Sequence, residues 1–282
     1  HLFMGDDKKR FPTTVDTTIS YEHCNAAVTW ACNVSGEILV YRREEWGKTL
    51  IHELFHALCL DMVDNGERGK NHESKINDEL KRIFHLPGKP EFRETYCEVW
   101  ATVLYCATIA HNHVRETDTM TAHNFKTVFR ECIHIERHHS FIQVAKILRF
   151  WKVDWCDFLK HHMCMNTDTD RVKRNIPKEG THVFCYFILR CILLHDMGET
   201  FRIFMGTSST LKRSFDATLL ATYIKKVAYG DEFEQVIQAH DRLTQVILSQ
   251  IHGSRMNGSH KSDIATHVTR NFRMSALSGW MI

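Results

Sequence analysis

The stretch His52-Glu53-Leu54-Phe55-His56 combines residue types and spacing that specify a chemistry. On a helix, residues i and i+4 share a face, so the two imidazoles can hold one zinc ion between them. Glu53 directly follows the first histidine and is placed to take a proton from a metal-activated water. The surroundings support a helix that is buried rather than solvated. Thr49-Leu50-Ile51 precedes the motif and Ala57-Leu58-Cys59-Leu60 follows it. Histidine and glutamate buried in such a segment need a partner to offset desolvation, and a metal ion is one.

The chain holds 20 histidines, which inflates accidental matches. Random ordering of this composition gives about 0.09 matches to the pattern, so the pentapeptide alone is not decisive. A catalytic zinc takes three protein ligands and leaves a fourth position for water. A second apolar segment supplies the third: Glu94-Thr-Tyr-Cys-Glu98-Val-Trp-Ala101. Glu94 and Glu98 again share one helix face, and Cys97, Val99, Trp100, Val103 and Leu104 make the rest of that helix core-like. A further histidine pair, His134 and His138, has the i, i+4 spacing but lacks the glutamate. It lies among charged residues and reads as a solvated helix face.

The elements that must position these residues follow from periodicity. Residues 1–18 are polar and irregular. Ala27 to Arg42 reads as a hairpin, with Val28, Trp30 and Cys32 before the Ser35-Gly36 turn and Ile38 to Tyr41 after it. Leu50, Ile51, Leu54, Phe55, Leu58 and Met62 predict a helix over 45–62. A polar stretch follows, and Leu86-Pro87-Gly88-Lys89-Pro90 is a break. Further helices are expected over 91–110, 121–163, 182–195, 210–228 and 231–252. Residues 166–180 read as a linker, and the last thirty residues as a loose tail.

Composition bounds the rest. Over 282 residues, 43% are hydrophobic, 25% are charged and the net charge is +2. This is a globular chain, and its few glycines (13) and prolines (4) favour helix over an all-β fold. Basic residues are dispersed, so no nucleic-acid partner is expected. The apolar run Val183 to Leu194 is interrupted by Arg190 and is too short to span a bilayer, so no membrane span is expected. The ten cysteines form no C-x-x-C pair. Free buried thiols in a reducing compartment are the simplest reading. An intracellular location is expected on the same reading of the cysteines.

An H-E-x-x-H helix followed by a helix bearing E-x-x-x-(D/E) resembles the gluzincin branch of the zincin metallopeptidases. The stretches His52 to Asp61 and Glu98 to Ala101 are similar, more closely still, to uncharacterised zincin-like proteins of large DNA viruses. The resemblance covers residues 27–110, and more faintly 181–186. It implies a mainly α fold with a small β-hairpin or sheet (α+β), in the zincin-like two-subdomain architecture with the active-site cleft between subdomains. The expected organisation is a zincin-like catalytic core over 1–165, a C-terminal helical subdomain over 166–252 and a flexible tail over 253–282.

The resemblance also implies roles. His52, His56 and Glu94 would bind Zn2+, and Glu53 would be the general base. Glu98 would orient a zinc-bound histidine, with its longer reach leaving it an alternative third ligand. Asp61 reads equally as a second support for the ligands or as a helix-end surface residue. His182, Tyr186 and His195 are candidates for the oxyanion donor. The expected partner is a peptide or protein substrate, laid along the 27–42 hairpin as an added strand. The expected location is the host-cell cytoplasm or the virion. Zinc-dependent peptide hydrolysis is the leading function. The alternative is a zinc-binding structural or interaction (virion-associated) protein of zincin fold without turnover.

Overall fold

The computed structural model describes residues 2–12, 14, 17–33, 35–61, 67–161, 179–206, 216–253 and 271–277. The motif helix, α2 (Trp46–Ala57), is bounded at both ends by non-glycine residues in the left-handed region. At its start Glu45 (φ 63°) is held by Lys9, whose Nζ lies 2.8 Å from the carboxylate. At its end Cys59 (φ 53°) is bonded to Cys32, and the Cys32 amide donates to the His56 carbonyl at 3.0 Å. Cys32 and Cys59 thus form a disulfide, which corrects the reading of all ten cysteines as free thiols. Cys24, Cys97, Cys106, Cys132, Cys156, Cys185 and Cys191 are free.

The disulfide joins α2 to the hairpin. Strands β2 (Ala27–Thr29) and β3 (Ile38–Arg42) pair antiparallel, as the alternation predicts. The sheet has a third strand, β1 (Leu2–Gly5), which pairs parallel to β3 and gives the order β1-β3-β2. Residues 1–18 are therefore not merely irregular. Lys9 and Phe11 are buried, and the Phe11 ring packs 4.1 Å from that of Phe272. A short helix, α1 (Tyr21–Cys24), leads into β2.

The fold is mainly helical. The polar stretch after α2 contains α3 (Glu67–Phe84), which the sequence reading passed over. Its apolar residues are few but fall on one face: Ile76, Leu80, Ile83 and Phe84 are all buried. The Pro-Gly break ends α3, and the Asn77 carboxamide oxygen accepts from the Phe92 amide at the start of α4 (Phe92–Glu116). The predicted 121–163 segment divides at Lys152 (φ 57°) into α5 (Ala122–Trp151) and α6 (Trp155–His161). Phe184–Leu189 is a π-helical segment that runs into α7 (Arg190–His195). The remaining helices are α8 (Met197–Met205), α9 (Ala217–Ala228) and α10 (Asp231–Gly253). No described helix is long and apolar enough to cross a membrane. Most of the 166–180 linker lies outside the described residues.

One hydrophobic cluster extends from Phe11 through α3, α4, α5, the π segment and α7 to Phe272 and Met274. Residues 271–277 belong to the expected loose tail but are packed into this core. Phe272 stacks on Phe187 with ring centroids 4.3 Å apart. Its neighbours are tied by charge. Glu136 of α5 accepts from the Ser275 hydroxyl at 2.7 Å and from the Ala276 and Leu277 amides at 2.9 and 3.1 Å. Arg190 donates to the Met274 carbonyl at 2.5 Å and lies 3.3 Å from Glu136. Glu136 and Arg190 are each only 1% exposed. Removing one member of such a pair leaves the other charge buried and uncompensated. Glu136→Ala should therefore lower stability by about 3–5 kcal/mol, read as a drop in thermal midpoint.

Candidate metal centre

Helices α2 and α4 carry the chemistry, and packing them together brings their polar faces into register. His52, His56 and Glu94 are buried and converge on one point. The two Nε2 atoms are 3.0 Å apart, and each lies 3.4 Å from Glu94 Oε2. Tetrahedral ligands about 2.0–2.1 Å from a zinc ion are themselves about 3.3–3.4 Å apart. The spacing of the three donor atoms thus suits a single metal ion. So does their chemistry, because two facing imidazole nitrogens beside a carboxylate oxygen are a donor set for a divalent cation.

A carboxylate stands close to the outer nitrogen of each imidazole, hydrogen-bonded to that of His56. His56 Nδ1 is 2.6 Å from Asp61 Oδ2, and Asp61 is fully buried. That decides one point about Asp61: it contacts His56 and is not a surface residue. His52 Nδ1 is 2.9 Å from Glu98 Oε1. Glu98 thus lies on the far side of His52 from the convergence point, while Glu94 lies at that point. Cys97 Sγ approaches His56 Nδ1 at 3.9 Å, and burial pushes its thiol well above the usual range.

Electrostatics follow from this crowding. Burial alone would lower both imidazole pKa values, but the carboxylates outweigh it. Glu94 and Glu98 raise His52 to about 10, and Asp61 and Glu94 raise His56 to about 10. Glu94 is held well below the usual carboxylate range, against its burial, by the two imidazoles. Glu98 is lowered too, against its burial, by Lys48 and His52. A cation at the convergence point would take over the role that protonated imidazoles otherwise play. Glu53 is shifted the other way: burial raises it, and the two histidines only partly counter this.

A cavity of about 30 Å³ adjoins the centre, lined by His52, Glu53, Thr49, Tyr186, Ala27 and Met274 among others. A water molecule needs about 10–15 Å³ on this measure, so the space beside Glu53 has room for water. The Tyr186 hydroxyl donates to Glu94 Oε2 at 3.2 Å. Tyr186 belongs to the π segment, which is fixed to α4 by the Thr95 hydroxyl donating to the Cys185 carbonyl at 3.0 Å. Burial and the nearby Glu94 keep its phenol well above the usual range, hence protonated.

The other two donor candidates separate. His182 is half-buried, with its ring 5.8 Å from that of Tyr186, and it groups with Glu91 and Glu94 on the outer side of the centre. His195 packs instead against Phe141 and Phe233, with ring centroids at 5.9 and 5.5 Å. It borders a surface pocket with Arg137 and Glu232 and is not brought to the metal group. Of the pair read as a solvated face, His134 is exposed, but His138 is half-buried with Nδ1 2.8 Å from His240 Nε2 on α10.

Sequence reasoning missed Lys48 and Arg190. Both are buried, Lys48 contacts Glu98 Oε2, and Arg190 Nη1 lies 3.8 Å from the same oxygen. Each left a signal. Lys48 stands one helical turn before His52 on the same face, and Arg190 is the lone charge in the Val183 to Leu194 run. Comparison with known proteins adds no assignment: no family model, curated protein or solved structure matches this chain.

The geometry sets Glu94 with the two Nε2 atoms and places Asp61 and Glu98 behind the imidazoles. Glu94→Ala should abolish tight zinc binding in a chelator competition. Asp61→Ala and Glu98→Ala should each weaken it by roughly 10–100-fold. A larger loss from Glu98→Ala than from Glu94→Ala would exchange their roles.

Proposed function

We propose that this protein is a zinc-dependent peptidase of gluzincin type, in which His52, His56 and Glu94 hold the metal and Glu53 is the general base. The observation that carries the reading is the convergence of three buried donor atoms beside a water-sized cavity lined by Glu53. Two imidazoles and one carboxylate are a donor set characteristic of catalytic zinc. Bound there, zinc would supply Lewis acidity, acidifying water and polarising a carbonyl.

The chain's own residues account for the remaining chemistry. Glu53 accepts a proton from the attacking water, holds it, and delivers it to the amine nitrogen as the peptide C–N bond breaks. Its burial suits the first half of that cycle, since it raises the carboxylate's affinity for a proton. The protonated Tyr186 hydroxyl, which donates to Glu94 Oε2 in this structure, would turn its single proton from Glu94 to the developing oxyanion. Asp61 and Glu98 fix the two imidazoles with Nε2 facing inward. Ala26 and Ala27 line the cavity at the start of β2, an outer strand of the sheet among the described residues. A peptide pairing with that edge would carry its backbone past Glu53.

A second reading, a zinc-holding structural or interaction protein without turnover, is favoured by the size of the cavity. About 30 Å³ admits water but not a peptide segment. Substrate would therefore have to displace part of the cavity wall, to which Met274 contributes. The two readings diverge in one experiment. Under the peptidase reading, Glu53→Gln retains stoichiometric zinc while hydrolysis of a quenched-fluorescent peptide library falls by about 10²–10⁴-fold. Under the second, zinc is bound and neither protein cleaves any peptide. Hydrolysis undiminished in Glu53→Gln would overturn the general-base assignment.

A further inference from the structure

The Glu98 carboxylate divides its two oxygens between different tasks. Oε1 lies 2.9 Å from His52 Nδ1. Oε2 turns away and receives both Lys48 Nζ and, at 3.8 Å, Arg190 Nη1. Lys48 is 2% exposed and Arg190 1%. Burying an ammonium and a guanidinium is costly unless each is paired. One cation would neutralise one carboxylate, yet this carboxylate meets two. They arrive from different elements: Lys48 from α2, one turn before His52, and Arg190 from α7, directly after the π segment that carries Tyr186.

Arg190 is itself immobilised. It lies 3.3 Å from Glu136 and donates to the Met274 carbonyl. Glu136 in turn holds residues 275–277. The carboxylate behind His52 is thus gripped by one cation on the motif helix and one anchored in the core. A ligand imidazole is oriented only as well as the group behind it is fixed. A carboxylate one helical turn from Glu94 also has the chemistry to ligate, unless something holds it elsewhere.

We propose that Lys48 and Arg190 are positioning residues of the metal centre: they clamp Glu98 Oε2, so that Oε1 fixes His52 with Nε2 facing the metal and Glu98 stays out of the ligand set. This rests on the metal-centre reading above. The clamp acts through Glu98, which distinguishes it from a stabilising ion pair that happens to be nearby. Loss of Lys48 frees one side of the carboxylate, and the cost appears as weaker metal binding. The effect vanishes once Glu98 no longer carries the charge that Lys48 holds.

The test is a double-mutant cycle read as zinc affinity by chelator competition on the full chain, with circular dichroism to confirm folding. Lys48→Met should weaken zinc binding by roughly 10–100-fold, as is usual for a lost outer-shell partner. Lys48→Arg, which keeps the charge, should recover most of it. In a Glu98→Gln background, Lys48→Met should cause no further loss, because the two act as one unit. If Lys48→Met does not fold, Arg190→Lys, which retains the charge with a shorter reach, should show the same loss and the same dependence on Glu98. Unchanged affinity in Lys48→Met, or independent losses that multiply in the double variant, would overturn the clamp and leave the metal centre standing. Failure of the unmodified chain to bind zinc would overturn the metal centre, and the clamp with it.

Discussion

Charge neutralisation in a dry interior is the constraint on which this structure depends. Glu45, Glu53, Asp61, Glu94, Glu98 and Glu136 are all buried, and an isolated buried carboxylate is expensive. Lys9 answers Glu45, Lys48 and Arg190 answer Glu98, and Arg190 also answers Glu136. His56 meets Asp61, and both histidines meet Glu94. Glu53 is not among these pairs, and burial raises its affinity for a proton. Glu53, which none of these ion pairs includes, is the residue proposed above as the general base.

The same pairings assemble the fold. Because Lys9 seeks Glu45, the N-terminal segment is drawn over the start of the motif helix. Glu136 and Glu45 accept backbone amides from residues 275–277, so this segment becomes part of the core. The Phe272 amide donates to the Lys9 carbonyl at 3.1 Å, joining the two terminal segments beside the site. Lys9 and Met274 thus line the cavity together with residues of α2, α4 and the π segment.

The π segment has a distinct part. A π turn shifts side chains relative to a regular helix and is frequent at functional sites. Here it coincides with Tyr186, which reaches Glu94, and with Cys185, whose carbonyl takes the Thr95 hydroxyl. Both contacts fall on the α4 turn that carries Glu94. Tyr186 and Glu94 are thereby held by one short interface.

The sequence by itself determined the local features. Spacing of four placed His52 with His56 and Glu94 with Glu98 on helix faces, because helical geometry alone puts i and i+4 side by side. Alternation and a turn located the β2–β3 pair, and apolar periodicity located α2, α4 and the π-to-α7 helix. Helix α3 was legible in Ile76, Leu80, Ile83 and Phe84, although charged residues between them masked the pattern. Tertiary structure alone decided the rest. It set Glu94 at the imidazole nitrogens and Glu98 behind one of them, since both share a face and only packing of α4 on α2 distinguishes them. It drew Tyr186 in and left His195 out, a matter of which way a helix is rotated in the core. It joined Cys32 to Cys59 and docked residues 271–277. These choices hang on contacts between residues far apart in the chain, for which periodicity carries no signal.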